Sequence, residues 1–210
     1  MSTHEELALV ADKLQTLANL GNRYSKDEFD LDRYEKVRSL SAQILGIIEE
    51  RSPGEVLQKL KDNISHVGPL LGSEAAVFQD GELLLIRRHD DGLWAMPGGL
   101  VEAGESWAEA AERELWEETR VRGRATKLIG VFDSGKWKER SNVHLYLAVF
   151  LVECEDPSPS VTAEATDVGF FSEDSLPPLS KGHDTRVPFI FKLYRGEEEM
   201  AFFDESRTDC

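Results

Sequence analysis

The chain has 210 residues, of which 40% are hydrophobic and 30% are charged, and its formal net charge at pH 7 is −16. This length suits one medium domain, or a domain with a small helical attachment, and the apolar fraction is enough for an ordinary core. The acidic charge disfavours binding to long nucleic acids, whose phosphates would be repelled. No apolar run approaches the length of a membrane span, and the first residues lack the basic and apolar parts of a secretion signal, so we expect a cytoplasmic protein.

The first sixty-odd residues carry apolar side chains at helical spacing. Gly21 and Asn22 are typical of a helix end, and Pro53 suits the first turn of another helix. We therefore predict a small all-α domain over 1–67. Its three helices are expected over 5–22, from Asp30 or Asp32 to about 50, and from 53 to about 64.

After residue 68 the sequence changes to short runs with strand character. Strands interrupted by helices imply an α/β layer fold, which we assign to a second domain over 68–210. We expect the acidic segment after residue 197 to be frayed. The predicted elements are a hairpin of 75–78 and 83–86, an extended piece at 93–96, strands at 125–132, 143–152 and 167–171, and a closing helix at 186–194 with Pro188 near its start.

One short segment of the second domain, Gly99–Val121, is rich in acidic side chains. Ser106 followed three residues later by Glu109 forms a capping box, and Trp107–Thr119 contains no Gly or Pro. This pattern predicts a helix that begins near Trp107. Glu109 and Glu112 project to one side of it, where we expect ordinary solvated carboxylates.

Three further glutamates, Glu114, Glu117 and Glu118, share a helix face roughly 100° wide that continues a stripe of small and apolar residues. Like charges at this spacing destabilise a helix and oppose ionisation unless a cation lies between them. A divalent metal with oxygen ligands is the simplest remedy. We therefore predict a metal site on this face.

The spacing of these residues resembles the Nudix box of the Nudix hydrolases. Arg120 stands where that family has a glycine, which suits a left-handed helix end, and Gly123 is the candidate to take over this role. The resemblance implies a Nudix α/β/α sandwich with a mixed sheet. The residues in register are Gly99, Glu105, Arg113, Glu114, Leu115, Glu117, Glu118 and Val121.

The resemblance also implies roles for individual residues. Glu114, Glu117 and Glu118 would hold Mg²⁺ or Mn²⁺, with the carbonyl of Gly98 as a further ligand, and Glu105 would pair with Arg113 to orient the metal ligands. The implied reaction is hydrolysis of a diphosphate, in which a metal-bound water attacks phosphorus. An alternative from another class is a nucleotide-binding regulator without catalysis, but such a protein would be expected to have lost box carboxylates, and all of them are present.

The N-terminal unit resembles the helical domain of one Nudix subgroup, the hydrolases of nucleoside diphosphates linked to another moiety, X, including the CDP-choline pyrophosphatases. This resemblance implies a homodimer with the N-terminal helices near the interface, and a CDP-choline-like substrate. ADP-ribose or a nucleotide sugar is the alternative, and trimming of RNA ends is disfavoured by the acidic charge. The matching residues are Leu20, Gly21, Tyr24–Lys26, Phe29, Asp30, Asp32–Tyr34 and Arg38.

Other site residues are predicted outside the box. Glu164, with Asp167 behind it, is the candidate general base, and a solvated loop carboxylate is the equally weighted alternative. In the basic loop after residue 133, Lys136, Lys138 and Arg140 are candidates to bind phosphate and Trp137 to stack on a base. Candidates that flank the Pro-Gly-Gly turn are Arg88 and Trp94, of which Trp94 is equally suited to the core. The histidines His4, His66, His89 and His183 are scattered, and no ligand cluster is predicted among them.

Overall fold

The structure is a computed structural model that describes residues 3–62, 70–137 and 145–204. It divides into two compact units, the first with helices α1–α3 and the second with all the strands and two further helices. In these ranges no helix combines the length and the apolar character needed to cross a membrane. The helices of the first unit are α1 (Thr3–Tyr24), α2 (Glu28–Ile48) and α3 (Pro53–Asp62).

The boundaries of α1 and α2 differ from the prediction for local reasons. Helix α2 begins earlier than predicted, because Asp27 caps it by accepting hydrogen bonds from the backbone N–H groups of Phe29 and Asp30. Gly21 lies inside α1 and does not end it. A Cβ atom there would lie 2.2 Å from Cδ1 of Tyr34, so this glycine permits the close approach of α2.

Small residues form the contact between α1 and α2. Ala11, Ala18 and Ala42 are buried, and the hydroxyl of Ser41 donates a 2.8 Å hydrogen bond to the carbonyl of Ala11. Larger apolar side chains remain exposed on the same helices, and we call them the apolar surface of the helical unit. They are Leu7, Val10, Leu17, Tyr24, Phe29, Leu40 and Ile47.

The second unit contains two sheets and two helices, α4 and α5. One sheet has the order β5-β1-β7-β6-β9, in which β1–β7 and β6–β9 are parallel pairs and the others are antiparallel. In the other sheet β3 pairs antiparallel with β2, β4 and β8. The elements are β1 (Leu70–Ala76), β2 (Phe78–Gln79), β3 (Glu82–Arg88), β4 (Trp94–Ala95), β5 (Gly98–Leu100), α4 (Trp107–Thr119), β6 (Arg124–Asp133), β7 (Leu145–Glu153), β8 (Ala165–Phe171), α5 (His183–Arg195) and β9 (Phe202–Phe203).

The alternation of side chains along the strands places a helix on each face. Successive strand residues point to opposite faces, so Leu84 packs in one core with Leu115 of α4, whereas Leu83 and Leu85 pack in another core with Ile190 of α5. Layers of helix, strands and helix result. The predicted α/β fold with a mixed sheet is confirmed.

Three predicted elements of this unit differ from the structure. The predicted first hairpin strand, 75–78, is divided between β1, which begins earlier at Leu70, and the short strand β2. Strand β2 connects to β3 through Asp80 and Gly81, both with positive φ. Helix α5 begins three residues before the predicted start. The segment after residue 197 is not simply frayed, because β9 pairs with β6 and Asp204 accepts a 2.7 Å hydrogen bond from the N–H of Asp133.

Candidate active site

Both ends of the acidic helix α4 have a defined capping geometry. The capping box between Ser106 and Glu109 is present, with both reciprocal hydrogen bonds. The C-terminal end corrects the prediction, because Arg120 itself adopts the left-handed conformation (φ 62°, ψ 7°) and Gly123 does not take over that role. The guanidinium of Arg120 lies 4.5 Å from the ring centroid of Trp116, and this cation–π attraction offsets part of the backbone strain at Arg120.

Gly123 and Glu112 have roles in packing that the sequence did not reveal. A Cβ atom on Gly123 would lie 2.5 Å from Cγ1 of Val152, so the glycine lets the chain pass close to β7. Glu112 corrects another expectation. Its carboxylate is half-buried and accepts a 2.8 Å hydrogen bond from the N–H of Ala125, which ties α4 to β6, whereas Glu109 is exposed as expected.

Arg113 forms ion pairs with three glutamates of the acidic segment. Its guanidinium makes a two-pronged ion pair with Glu105, with distances of 2.7 and 3.0 Å. Its Nη1 atom donates to Glu114 at 2.7 Å and to Glu117 at 3.1 Å, and its Nη2 atom donates to the carbonyl of Leu100. One side chain therefore fixes the loop before α4 and two of the three glutamates on the predicted metal face.

Glu118, the third glutamate of this face, points toward the Pro-Gly-Gly turn. Its carboxylate accepts a 2.8 Å hydrogen bond from the N–H of Gly98. Burial, together with the charges of Glu114 and Glu164, raises the pKa of Glu118 to about 8 against that hydrogen bond. Burial also raises the pKa of Glu114, against the effect of Arg113. Without a cation, burial therefore disfavours the anionic forms of these two carboxylates.

The oxygen donors on this face fit a hard divalent cation. A Cβ atom on Gly99 would lie 2.3 Å from a carboxylate oxygen of Glu114, so a larger residue here would displace this carboxylate from its present position. Across residues 3–62, 70–137 and 145–204, no three acidic, histidine or cysteine side chains already converge as a cation site. Glu114 and Glu117 each contact Nη1 of Arg113 through one carboxylate oxygen, so the guanidinium orients both carboxylates and compensates part of their charge.

The loop before β8 places Glu164 beside this face. The N–H of Ser160 donates to the carbonyl of Thr119, and the hydroxyl of Thr162 donates to the carbonyl of Glu118. The N–H of Glu164 then donates to that same hydroxyl at 3.1 Å. The side chain of Glu164 is exposed, and its charge contributes to the raised pKa values of Glu114 and Glu118. Its role as a general base stays a prediction.

The predicted substrate residues fall into different environments. The guanidinium of Arg88 forms two hydrogen bonds with Asp90, of 2.8 and 2.6 Å. Trp94 is half-buried and packs edge-on against Phe171, with 4.7 Å between the ring centroids. Lys138 and Arg140 lie outside the described residues.

The loop after β6 is fixed by the C-terminal segment. The ring of Trp137 packs edge-on against Phe132, with 5.1 Å between centroids, and its indole N–H donates to Asp204. This environment is that of a core residue, so a stacking role for Trp137 stays a prediction without geometric support. Lys136, the neighbouring residue, is half-buried.

A cavity of about 640 Å³ opens beside the Pro-Gly-Gly turn. Its size suits a small ligand, because binding sites for such ligands measure roughly 300 to 1,000 Å³. It brings residues of β1 and of the start of α5 together with the turn and with Arg88. Its lining includes Gly72, Glu74, Arg88, Gly98, Gly99 and His183.

Sequence reasoning missed a buried cluster of three charged or polar side chains at this cavity, Glu74, His183 and Arg186. Oε1 of Glu74 lies 2.6 Å from Nη2 of Arg186 and 3.2 Å from Nε2 of His183. Burial alone would raise the pKa of Glu74, but its interactions with Arg186 and His183 lower it to about 2. The only signal in the sequence was an acidic residue within an otherwise uncharged strand.

Comparisons with known protein families match most of the chain. Residues 72–193 match the NUDIX domain family, and residues 5–58 match the UDP-X-like, N-terminal oligomerisation domain. The chain is 29% identical over 197 residues to a Bacillus subtilis protein named putative ADP-ribose pyrophosphatase YjhB. The aligned region covers 92% of this chain and 95% of that protein. It is also 29% identical over 157 residues to an ADP-ribose pyrophosphatase of Methanocaldococcus jannaschii, covering 72% of this chain and 92% of the relative.

Solved structures resemble the whole chain as well as the second unit. A UDP-X diphosphatase structure covers 95% of this chain and 99% of its own, with a TM-score of 0.61 and 27% identity. An ADP-ribose pyrophosphatase from Streptococcus suis covers 64% of this chain and 97% of its own, with a TM-score of 0.55 and 28% identity. The similarity to the first structure therefore extends over both units.

Proposed function

The chain belongs to the Nudix family and is a Nudix pyrophosphohydrolase, and on that premise we propose that it cleaves a nucleoside diphosphate linked to X into a nucleoside monophosphate and phospho-X. The observation that carries this proposal is the position of Glu114, Glu117 and Glu118 on one face of α4, which we call the carboxylate face. This face lies beside the Pro-Gly-Gly turn, which lines the cavity. The similarity to the UDP-X diphosphatase over nearly the whole chain supports the same class of substrate.

In the proposed reaction, Glu114, Glu117 and Glu118 bind Mg²⁺ or Mn²⁺, and the carbonyl of Gly98 is a further ligand. When bound, the metal neutralises charge on the diphosphate and lowers the pKa of a coordinated water. Arg113 positions Glu114 and Glu117 through its ion pair with Glu105. Such second-layer contacts fix the orientation of metal ligands and so set their affinity.

Two residues outside the helix complete the proposed chemistry. Glu164 accepts the proton of the attacking water, because its loop is hydrogen-bonded to the end of α4 and its carboxylate is exposed. Arg88 binds a phosphate group, since it lines the cavity and carries a fixed charge held in place by Asp90.

The identity of X and of the base is a finer proposal. CDP-choline is the substrate suggested by the helical N-terminal unit. The names of two relatives favour ADP-ribose, and the name of the structural neighbour favours a UDP-linked compound. The substrate is therefore sought among nucleoside diphosphates linked to choline or to a sugar.

A panel assay tests the reaction and the substrate together. The protein is incubated with Mg²⁺ and, separately, with CDP-choline, ADP-ribose, a UDP-sugar, NADH and short RNA, and the products are separated by chromatography. We expect cleavage of at least one linked nucleoside diphosphate to a nucleoside monophosphate. Cleavage of another compound without any cleavage of CDP-choline would contradict the CDP-choline proposal, and no cleavage of any compound would contradict the reaction itself.

We also propose that the protein forms a homodimer through the apolar surface of the helical unit. Exposed apolar area of this kind is typical of an interaction surface, and residues 5–58 match a domain described as an oligomerisation domain. Ile47, which is 75% exposed, is the side chain with the largest exposed fraction in this surface. Light scattering should give twice the chain mass of 23.6 kDa, and Ile47→Glu should shift the equilibrium toward the monomer. A wild-type protein that scatters as a monomer would contradict the dimer.

A further inference from the structure

The buried cluster of Glu74, His183 and Arg186 contains acceptor atoms that the protein does not use. In the part of the chain that the structure describes, Oε2 of Glu74 and Nδ1 of His183 are buried and have no hydrogen-bond partner. The side chains of these two residues are 6% and 5% exposed. A buried acceptor without a partner costs free energy, so a native structure needs a reason to retain it.

Hydrogen-bond directions define what each free atom can do. Nε2 of His183 lies 3.2 Å from Oε1 of Glu74 and 3.4 Å from Nη2 of Arg186. The closer carboxylate oxygen favours the tautomer with the proton on Nε2, in which Nδ1 is an acceptor. Arg186 donates to the same Oε1 atom, so the second oxygen of Glu74 remains available. The guanidinium of Arg186, 2.6 Å from Oε1, pairs with Glu74 as a carboxylate, which is an acceptor only. Two acceptors from different elements are thus left without donors.

Both residues line the cavity, and Glu74 is also in contact with the proposed catalytic turn. Glu74 pairs with Gly98 in the register of β1 and β5, and a Cβ atom on Gly98 would lie 2.7 Å from Cγ of Glu74. The N–H of that same glycine donates to Glu118. The buried cluster and the carboxylate face therefore contact the same glycine of the turn.

We propose, on the basis of the proposed function, that Glu74 and His183 determine substrate specificity. They would accept hydrogen bonds from a neutral group of the substrate that carries N–H or O–H donors. A phosphate cannot occupy this position, because its oxygens would be repelled by the Glu74 carboxylate. A nucleoside diphosphate linked to X offers two suitable groups, the vicinal hydroxyls of a ribose and the exocyclic amine of a base. Arg88, on the same cavity, is left for the phosphates.

Pairs of substrates that differ in one group test this proposal. The hydroxyl is tested with CDP-choline against its 2′-deoxy form, or with ADP-ribose against its 2′-deoxy form. The amine is tested with CDP-choline against UDP-choline, or with ADP-ribose against IDP-ribose. We expect the wild-type protein to prefer the donor-bearing member of at least one pair by about tenfold to a hundredfold in kcat/KM.

The variant His183→Phe keeps the ring shape and leaves Glu74 paired with Arg186, so it removes one acceptor without stranding a charge. We expect it to reduce the preference at least about threefold, while His183→Asn, which can restore an acceptor near the position of Nδ1, recovers part of it. His4→Phe, the same substitution on α1 of the other unit, is the matched control and should keep the wild-type ratio. A purely structural histidine would lower kcat/KM for both members equally.

The outcomes separate this inference from the proposed function. Hydrolysis with equal kcat/KM for both members of every pair, or with a ratio that His183→Phe leaves unchanged, overturns the inference and leaves the proposed function intact. A protein that hydrolyses no linked nucleoside diphosphate, either in these pairs or in the panel, overturns the proposed function. In that case calorimetric titration with the same pairs decides the inference, since equal affinities, or no binding at all, overturn it and a preference that His183→Phe abolishes supports it.

Discussion

The carboxylate face of α4 and the buried cluster of Glu74, His183 and Arg186 differ in how their negative charge is compensated. On α4, three glutamates lie within five consecutive residues, and burial raises the pKa of two of them. In the buried cluster, a single carboxylate is matched by Arg186 and His183, and its pKa falls. The carboxylate face therefore favours binding of a cation, whereas the buried cluster contains its own cation in Arg186. Charge compensation in the buried cluster contributes to stability, and it leaves the second oxygen of Glu74 to accept a hydrogen bond from a neutral group of a ligand.

Removing the cation of the buried cluster is expected to have the largest effect on stability. Arg186→Met leaves Glu74 buried without its guanidinium, and breaking a buried ion pair in this way costs about 3 to 5 kcal/mol in the free energy of unfolding. Urea denaturation measures this loss. Arg195→Met, which removes an exposed arginine paired with Glu173 and Glu197, is the matched control and should change little. Equal effects of the two variants would contradict the contrast.

Neutralising one carboxylate on α4 should instead abolish function while preserving the fold. Glu117→Gln is expected to lower Mg²⁺-dependent turnover at least about a hundredfold, because a ligand of the metal is lost. Glu109→Gln, on the other side of the same helix, should retain turnover. Steady-state hydrolysis of the substrate found in the panel gives the comparison. Full activity of Glu117→Gln would remove this residue from the metal site.

The two regions should also respond to pH with opposite sign. The folded pKa of Glu118, about 8, lies above its ordinary value of 4.5, so its contribution to stability is present below pH 4.5 and is lost as the pH rises toward 8. The folded pKa of Glu74, about 2, lies below that ordinary value, so its contribution is present above pH 4.5 and is lost only as the pH falls toward 2. Between these limits the Glu74 contribution is constant, whereas that of Glu118 falls as the pH rises, and the raised pKa of Glu114 acts in the same direction.

We therefore expect the metal-free protein to lose on the order of a few kcal/mol of stability between about pH 5 and about pH 8 through Glu118. Adding Mg²⁺ at the upper pH should restore stability, because the cation binds the folded state. Denaturation of the wild type and of Glu118→Gln, with and without Mg²⁺, isolates this contribution. A Glu118→Gln variant with the wild-type pH dependence would contradict the assignment.

The smallest effect is expected at Glu164, which lies beside the carboxylate face but outside the set of metal ligands. Glu164→Gln should cut turnover at least about tenfold and leave Mg²⁺ affinity intact, since a general base contributes to the rate alone. Calorimetric titration with Mg²⁺ and steady-state kinetics together test the separation. Asp167→Asn, a neighbouring exposed carboxylate on β8, is the control. Unchanged turnover would leave Glu164 as a solvated loop residue.

The sequence predicted those features whose interactions are short in range. The α4 boundaries, the capping box and the shared face of three glutamates follow from the helical period and from side chains within four residues of one another. The left-handed exit at Arg120 was missed although the contact that offsets its strain is equally short in range. Its strain is offset in part by Trp116, and the glycine rule considers only the backbone of one residue.

Tertiary structure alone decided which distant residues share a site. Glu74 and Arg186 are 112 positions apart, and only the packing of α5 against the sheet brings them together. Trp137 was predicted to bind a base from its basic neighbours, but its ring packs in an aromatic cluster and its N–H donates to Asp204, 67 positions away. Such contacts depend on which faces of the strands and helices are buried, and no local pattern encodes the partner.

The sequence by itself thus predicted the class of reaction, because the three glutamates proposed to bind the metal lie on one helix and helix geometry is local. The cavity, and with it the groups that discriminate among substrates, was decided by the tertiary structure. Its walls come from β1, the turn before β5 and the first residues of α5. These segments meet only when both hydrophobic cores form, since burial of their apolar sides fixes where their polar side chains point.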